Sequence, residues 1–183
     1  MTLELTDIKR RYSVSGGGIA EGNVFEGTRD TSLGGYLSIT AIPDNSAANG
    51  FPDVDEVDSE SGVTWYRCWF IYNASEADTL VNASAWIASD TADGGVYAIG
   101  LDPVGVVDAD DTDPQSAIIA NQTTAPAGVT FSAPTTRETG LEVGDLGPGE
   151  CFAIWCRYTV PSNATPVTSP GDVGDIHVAG SRL

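Results

Sequence analysis

Lysine is almost missing from this chain: only Lys9 is present, and with seven arginines it faces 26 acidic residues, for a net charge of −18 over 183 residues. Such a balance excludes a nucleic-acid-binding surface as the main function, because phosphate contacts need clustered Arg and Lys. Histidine is as scarce. His177 stands alone, and Cys68, Cys151 and Cys156 show no C-x-x-C spacing, so no tetrahedral zinc set assembles from near neighbours. Long apolar runs are absent too, and nothing approaches the roughly 20 residues that span a bilayer. The first eleven residues lack the apolar core of a signal peptide and end in Lys9-Arg10-Arg11, so the expectation is a protein made soluble, without membrane insertion. There is no G-x-S-x-G, no H-E-x-x-H and no nucleotide loop. Gly16-Gly17-Gly18 reads as a flexible joint, since no GK[ST] follows it. The expectation is no enzyme, no cofactor and no metal site. Carboxylates suited to glycoside hydrolysis are plentiful, but in so acidic a chain each is first a solvated surface group.

What the chain does hold is acid and aromatic side chains. Aromatic strands exclude a disordered, solvating chain over most of the length. The reading left is a folded protein adapted to high salt, where the Debye length falls to about 3 Å at 1 M and surface carboxylates stop repelling one another. Two loops concentrate the charge: Asp53, Asp55, Glu56 and Asp58, then Asp108, Asp110, Asp111 and Asp113. Neither has the glycine that an EF-hand turn requires. Both read as solvated loops.

Residues 62–73, GVTWYRCWFIYN, form the densest aromatic stretch and predict a long strand. Alternation puts Tyr66, Cys68, Phe70 and Tyr72 on one face and Trp65, Arg67, Trp69 and Ile71 on the other. Residues 151–158, CFAIWCRY, repeat the design. Phe152, Ile154, Cys156 and Tyr158 share one face; Cys151, Ala153, Trp155 and Arg157 share the other. The faces without arginine are expected to meet in one core. The Trp/Arg faces, with Trp65, Arg67, Trp69, Trp155 and Arg157, then suit either an oligomer interface or a surface covered by the chain's own arm. Cys68 and Cys156 fall on the expected core faces, as free buried thiols or as a pair.

Further strands are expected over residues 32–42, 79–89 (paired with the central strand), 94–101, 115–121, 129–133, 141–146 and 175–179, separated by Gly/Pro turns. Sustained helical periodicity is absent. The expected fold is all-β: a β-sandwich, immunoglobulin-like or jelly-roll-like, over residues 32–183. Residues 1–31 are expected as an extended N-terminal arm and joint, with Lys9, Arg10 and Arg11 docking on an acidic neighbour such as another copy.

Several blocks occur in a recognisable order: KRRYSVSGG, SLGGYLS, TWYRCWFIYN, TLVNASAWI, IGLDP, APAGVTFSAP, and a Gly-Pro-Gly turn before AIWCRYTVP. Over roughly residues 9–161 this order resembles a family of small virion structural proteins of tailed bacteriophages and haloarchaeal tailed viruses. The acidic loops, Cys151 and Cys156 depart from its pattern. The polar turn at Asn73-Ala74-Ser75 and the Leu146-Gly147-Pro148-Gly149 turn also resemble immunoglobulin-like surface modules. The virion resemblance implies a non-enzymatic particle component, assembled in the host cytoplasm and located in the virion. Its partners would be copies of itself and other virion proteins. A capsid decoration or turret is the first expectation, and a tail or baseplate component the alternative. From another class, a host-surface or carbohydrate-binding module stays open, because exposed aromatics stack on sugars. Four Asn-x-Ser/Thr sequons occur. Asn73, Asn121 and Asn163 fall at expected turns or strand ends and are the glycosylation candidates; Asn82 falls inside an expected strand.

Overall fold

The computed structural model describes residues 7–16, 25–43, 50–90, 94–164 and 174–183. In chain order its strands are β1 (Ile8–Val14), β2 (Tyr36–Ala41), β3 (Val63–Asn73), β4 (Leu80–Asp90), β5 (Val96–Asp108), β6 (Leu141–Leu146), β7 (Glu150–Val160) and β8 (Gly174–Arg182). A six-residue helix α1 (Glu56–Ser61) precedes β3. The strands form two antiparallel sheets, one of five strands ordered β2-β1-β3-β7-β5 and one of three ordered β6-β4-β8. The protein is an all-β sandwich. Its order is its own: the immunoglobulin fold groups first, second, fourth and fifth strands, whereas here β1, β2 and β3 share a sheet with β5 and β7.

The two aromatic strands lie side by side at the centre of the larger sheet, and their register decides which faces coincide. Trp65 opposes Tyr158, Trp69 opposes Ile154 and Ile71 opposes Phe152, while Cys68 opposes Trp155 and Phe70 opposes Ala153. Directly opposed residues share a face. The expected pairing of faces is therefore reversed: the Trp65/Trp69/Ile71 face joins Phe152, Ile154, Cys156 and Tyr158. That combined face packs on Leu80, Ala83, Ala85 and Ile87 of β4 and on Leu146 of β6 as the core between the sheets. The opposite face, with Cys68, Phe70, Cys151, Ala153 and Trp155, packs under Leu33, Leu37, Ala109 and Ile119. Both faces are buried because the sandwich has a third, irregular layer.

That layer is built from the segments around residues 28–34 and 109–134. Residues 115–121 and 129–133, expected as strands, contribute only the isolated bridges Gly34 to Ile118 and Ile99 to Ser132. Single backbone bonds, such as Ile119 N donating to Leu33 O at 3.0 Å, and side chains hold the layer instead of ladders. Gln115 accepts from Leu37 N (2.8 Å) and donates to Ala109 O (2.8 Å) and Asp108 O (3.0 Å). The 115–119 segment sits close on Gly34, where an added Cβ would lie 1.8 Å from Ala117 O and φ is +89°; only glycine fits there.

Three further expectations change. β1 is an inner strand bonded to both β2 and β3, so residues 8–14 belong to the sandwich and not to a free arm. β4 lies in the smaller sheet and does not pair with β3. The acidic loop at Asp53–Asp58 runs into α1, whose N-cap Asp55 accepts from Asp58 N at 2.8 Å; side chains there stabilise a helix start. The Gly16-Gly17-Gly18 joint extends outside the described residues.

Cys68, Cys151 and Cys156 are free and buried. Cys68 and Cys156 lie on opposite faces of the larger sheet and cannot pair. Burial pushes the Cys151 thiol up to about 12, with Asp108 and Glu150 adding to it, and raises Cys68 and Cys156 above their usual value of 9.0. Above pH 9 the unfolded chain releases thiol protons that the native chain keeps. The stability they contribute is complete below pH 9 and is lost as pH rises toward 12, by up to about 1.4 kcal/mol per pH unit per thiol. The urea midpoint should therefore fall between pH 8.5 and 10.5; a flat midpoint would contradict the burial of these thiols.

Candidate functional site

The residues expected to form one Trp/Arg interface are neither together nor exposed. Trp65 and Trp155 are buried, on opposite faces of the larger sheet. Arg67 is 1 % exposed; its guanidinium donates to Gln122 Oε1 and to Tyr66 O (3.3 Å), and its Nη2 lies 3.6 Å from Asp30 Oδ1. It closes the edge of β3 that β1 leaves open, alongside the bonds from Tyr66 N to Gln122 O (2.7 Å) and Cys68 N to Ser32 O (2.9 Å). Trp69 is half-buried beside the core between the sheets, and the Arg157 guanidinium lies 5.1 Å over the Phe131 ring. These side chains serve the chain's own layers.

Lys9, Arg10 and Arg11 do not act as one docking cluster. Register places Lys9 opposite Tyr72, Arg10 opposite Ile71 and Arg11 opposite Phe70, so Arg10 points away from the other two. The Arg11 guanidinium lies 5.0 Å from the Tyr72 ring and donates to Ser38 O. Burial lowers its pKa, and the Tyr72 side chain offsets this in part.

The sequons divide. Asn73 is 0 % exposed and its Nδ2 donates to Asp78 O (2.9 Å) and Leu146 O (3.0 Å). An amide so committed is no glycan acceptor in the folded chain. Asn121 and Asn163 are exposed, and so is Asn82, at a bulge with φ +51°; Thr165 of the third candidate lies outside the described residues. The bulge is what a strand reading of Asn82 could not anticipate.

Trp86, a half-buried tryptophan, is one that the interface reading left aside. In β4, Ala83, Ala85 and Ile87 are buried in the core between the sheets, which turns Ser84 and Trp86 to the outer face of the smaller sheet. Trp86 opposes His177 of β8, ring centroids 5.6 Å apart at 60°. On its other side, segment 134–140 runs along β4, held by Ile87 N donating to Pro134 O at 2.8 Å. Thr136 caps a single 3-10 turn there, Arg137–Thr139. Ser84 opposes Glu142 of β6. Between β4, β6 and that turn lies an open cleft of about 520 Å³, lined by Asn82, Ser84, Arg137, Glu138 and Glu142 among others. Ser84 is 8 % exposed and its Oγ has no hydrogen-bond partner. The Glu138 carboxyl is held below its usual pKa by its own backbone N–H first, then by the Thr136 hydroxyl and Arg137. The cleft therefore presents the carboxyls of Glu138 and Glu142 and the Arg137 guanidinium, while the Ser84 hydroxyl stays buried behind it. A small alternation signal marks it in the sequence: residues 83–87 place Ala83, Ala85 and Ile87 inside and their one aromatic, Trp86, on the other face.

Among the described residues no three His, Cys, Asp or Glu side chains converge as metal ligands, and no helix is long and apolar enough to cross a membrane. Comparison with protein-family models, with curated proteins and with solved structures finds no match.

Proposed function

We propose that this chain is a non-enzymatic structural protein of a tailed-virus particle infecting a halophilic host. It packs as a capsid decoration or turret subunit against copies of itself and other particle proteins. A tail or baseplate position is the alternative. One observation carries the reading: the sequence blocks that resemble virion structural proteins coincide with the fixtures of the fold. SLGG supplies the Gly34 seat, TWYRCWFIYN is β3, IGLDP holds the buried Asp102, and the Gly-Pro-Gly turn delivers β7. A resemblance concentrated on architecture suits a protein whose work is packing. The halophilic host is supported by the surface. Asp53, Asp55, Glu56, Asp108, Asp110 and Asp113 are exposed, as carboxylates are on proteins that stay hydrated when salt screens their repulsion.

The test of assembly is the mass of the purified protein in about 2–3 M KCl, by light scattering, salt being high enough to screen the carboxylates. A closed oligomer of fixed number is expected, with a melting temperature that falls on dilution into low salt. A monomer equally stable in dilute buffer and molar KCl contradicts both parts of the proposal.

A further inference from the structure

The four edge strands of the two sheets are not equally closed. At β2, Ile39 N donates to Phe25 O at 3.1 Å; at β5, Ile99 exchanges bonds of 2.8 and 2.9 Å with Ser132. β6 is irregular at Gly144, where φ is +97°, and carries exposed Glu142 and Asp145, devices that discourage pairing. β8 has no such cover among the described residues. It runs for nine residues without proline or lysine, its two charges, Asp175 and Arg182, stand near its ends, and the bulges in its ladder add their extra residues to β4. We propose that β8 is the seam at which two copies of this chain join, edge to edge and antiparallel, into one six-stranded sheet. The inference rests on the proposed packing against copies and names the surface that does it.

Hydrogen-bond direction identifies the free groups. Leu183 N donates to Thr79 O at 3.2 Å, and Ile87, opposite Ile176, turns its own N–H away to Pro134 O at 2.8 Å. Because ladder groups alternate, odd-numbered residues of β8 bond to β4, while Ile176, Val178 and Gly180 present N–H and C=O to the open edge. Two such edges pair only in registers that oppose even-numbered residues to even-numbered ones. The register that pairs all nine residues puts Val178 on the two-fold axis. It opposes Ile176 to Gly180 of the second copy, where Leu80 fills the space of a Cβ. On the outer face it opposes His177 to Ala179 and Asp175 to Ser181. Bulk meets small side chains, and no charges of one sign stand opposite each other. Ile176 and Val178 are only partly buried on the core between the sheets, so the second copy continues that core across the seam. The edge is its own complement, as a two-fold contact requires. Each copy carries a charge of −18, so the seam closes where salt screens the repulsion.

The test is amide hydrogen exchange of the full chain, read residue by residue by NMR, dilute and concentrated in about 2 M KCl, with the mass followed by light scattering. An even number of copies is expected, since a two-fold seam pairs every copy. The amides of Ile176, Val178 and Gly180 should slow by about tenfold or more as the copies join, while those of His177 and Ala179 are protected throughout. Val178→Pro removes an outward N–H at an edge, where proline is tolerated, and should halve the mass. If that variant does not fold, exchange in the wild-type chain decides alone. A wild-type monomer in molar salt contradicts the packing and the seam together. A closed oligomer of odd number, an oligomer whose three outward amides exchange as fast as in the dilute chain, or an unchanged mass in folded Val178→Pro leaves the packing standing and overturns the seam.

Discussion

Replacing Asn73 by alanine should lower stability by about 3 to 4 kcal/mol, from a side chain that touches no ligand. Asn73 ends β3 at the corner where the chain crosses from the larger sheet to the smaller one. Its Nδ2 reaches Asp78 O on that crossing and Leu146 O on the return crossing from β6 to β7. Its Oδ1 accepts from Ser75 N at 3.0 Å, and its backbone oxygen accepts from Gly149 N at 2.9 Å. Alanine leaves two buried carbonyls and one N–H without their partner, and each costs about 1–3 kcal/mol, less than additively. Asn73→Asp keeps the shape but turns a carboxylate toward two carbonyl oxygens, so it should be no better. A loss of this size lowers Tm by roughly 10 °C in a domain of this length. Asn121→Ala, at an exposed turn, should cost under about 1 kcal/mol. Thermal melts of the three variants at matched salt decide it. If Asn73→Ala melts with the wild type, the corner is not held as described.

The second large effect is at Asp102, which clamps the irregular layer to the larger sheet. It is buried, its Oδ2 accepts from Trp155 Nε1 (2.8 Å) and Ala117 N (2.9 Å), and its Oδ1 accepts from Val104 N (3.0 Å). Asp102→Ala strands the buried Trp155 Nε1–H and two partly buried amides and should cost about 2–4 kcal/mol. In Asp102→Asn one of the two acceptor positions becomes an NH2 facing an N–H, so a loss of about 2–3 kcal/mol is expected. Trp155→Phe removes one donor, and its effect should shrink in the Asp102→Ala background, because the two side chains form one unit. Hydrogen exchange supplies the local readout: amides of residues 115–119 should exchange faster in Asp102→Asn while those of β4 do not. Equal acceleration across both sheets would show that Asp102 supports the whole fold and not the layer.

Much of the architecture could be read from the sequence because aromatic and branched side chains are dense in two places. β3 falls at residues 63–73 and β7 at 150–160, close to where aromatic content and the Gly/Pro turns put them. Which faces meet was not readable. When both faces of a strand are apolar, alternation separates them but does not say which is covered by what. The register of β3 on β7 decides that, and register depends on contacts distant in sequence. Arg67 misled for the same reason: a guanidinium between two tryptophans has the composition of an interface, yet here it ends against Gln122 and Asp30 at a strand edge. Asp102 was hidden among many acidic residues, since nothing in a sequence separates a buried carboxylate from a solvated one. The layer over Trp155 was half legible. Residues 115–121 and 129–133 read as short strands, but their order comes from isolated bridges, from side chains such as Gln115 and from the close seat at Gly34, not from ladders.

The consequence for function is a division of labour. Tryptophan, arginine and aspartate in the larger sheet hold layers together, and in the smaller sheet Trp86 packs on His177 while Arg137 and Glu138 are exposed beside it.

Immunogold electron microscopy tests the central claim most directly, using an antibody raised against the folded chain and tailed particles purified from the host that produces it in molar salt. The account predicts gold at regular positions on intact particles, on the capsid surface for a decoration or turret subunit and on the tail for the alternative. Particles without label, from a lysate in which the free protein is readily detected, would contradict a virion role altogether.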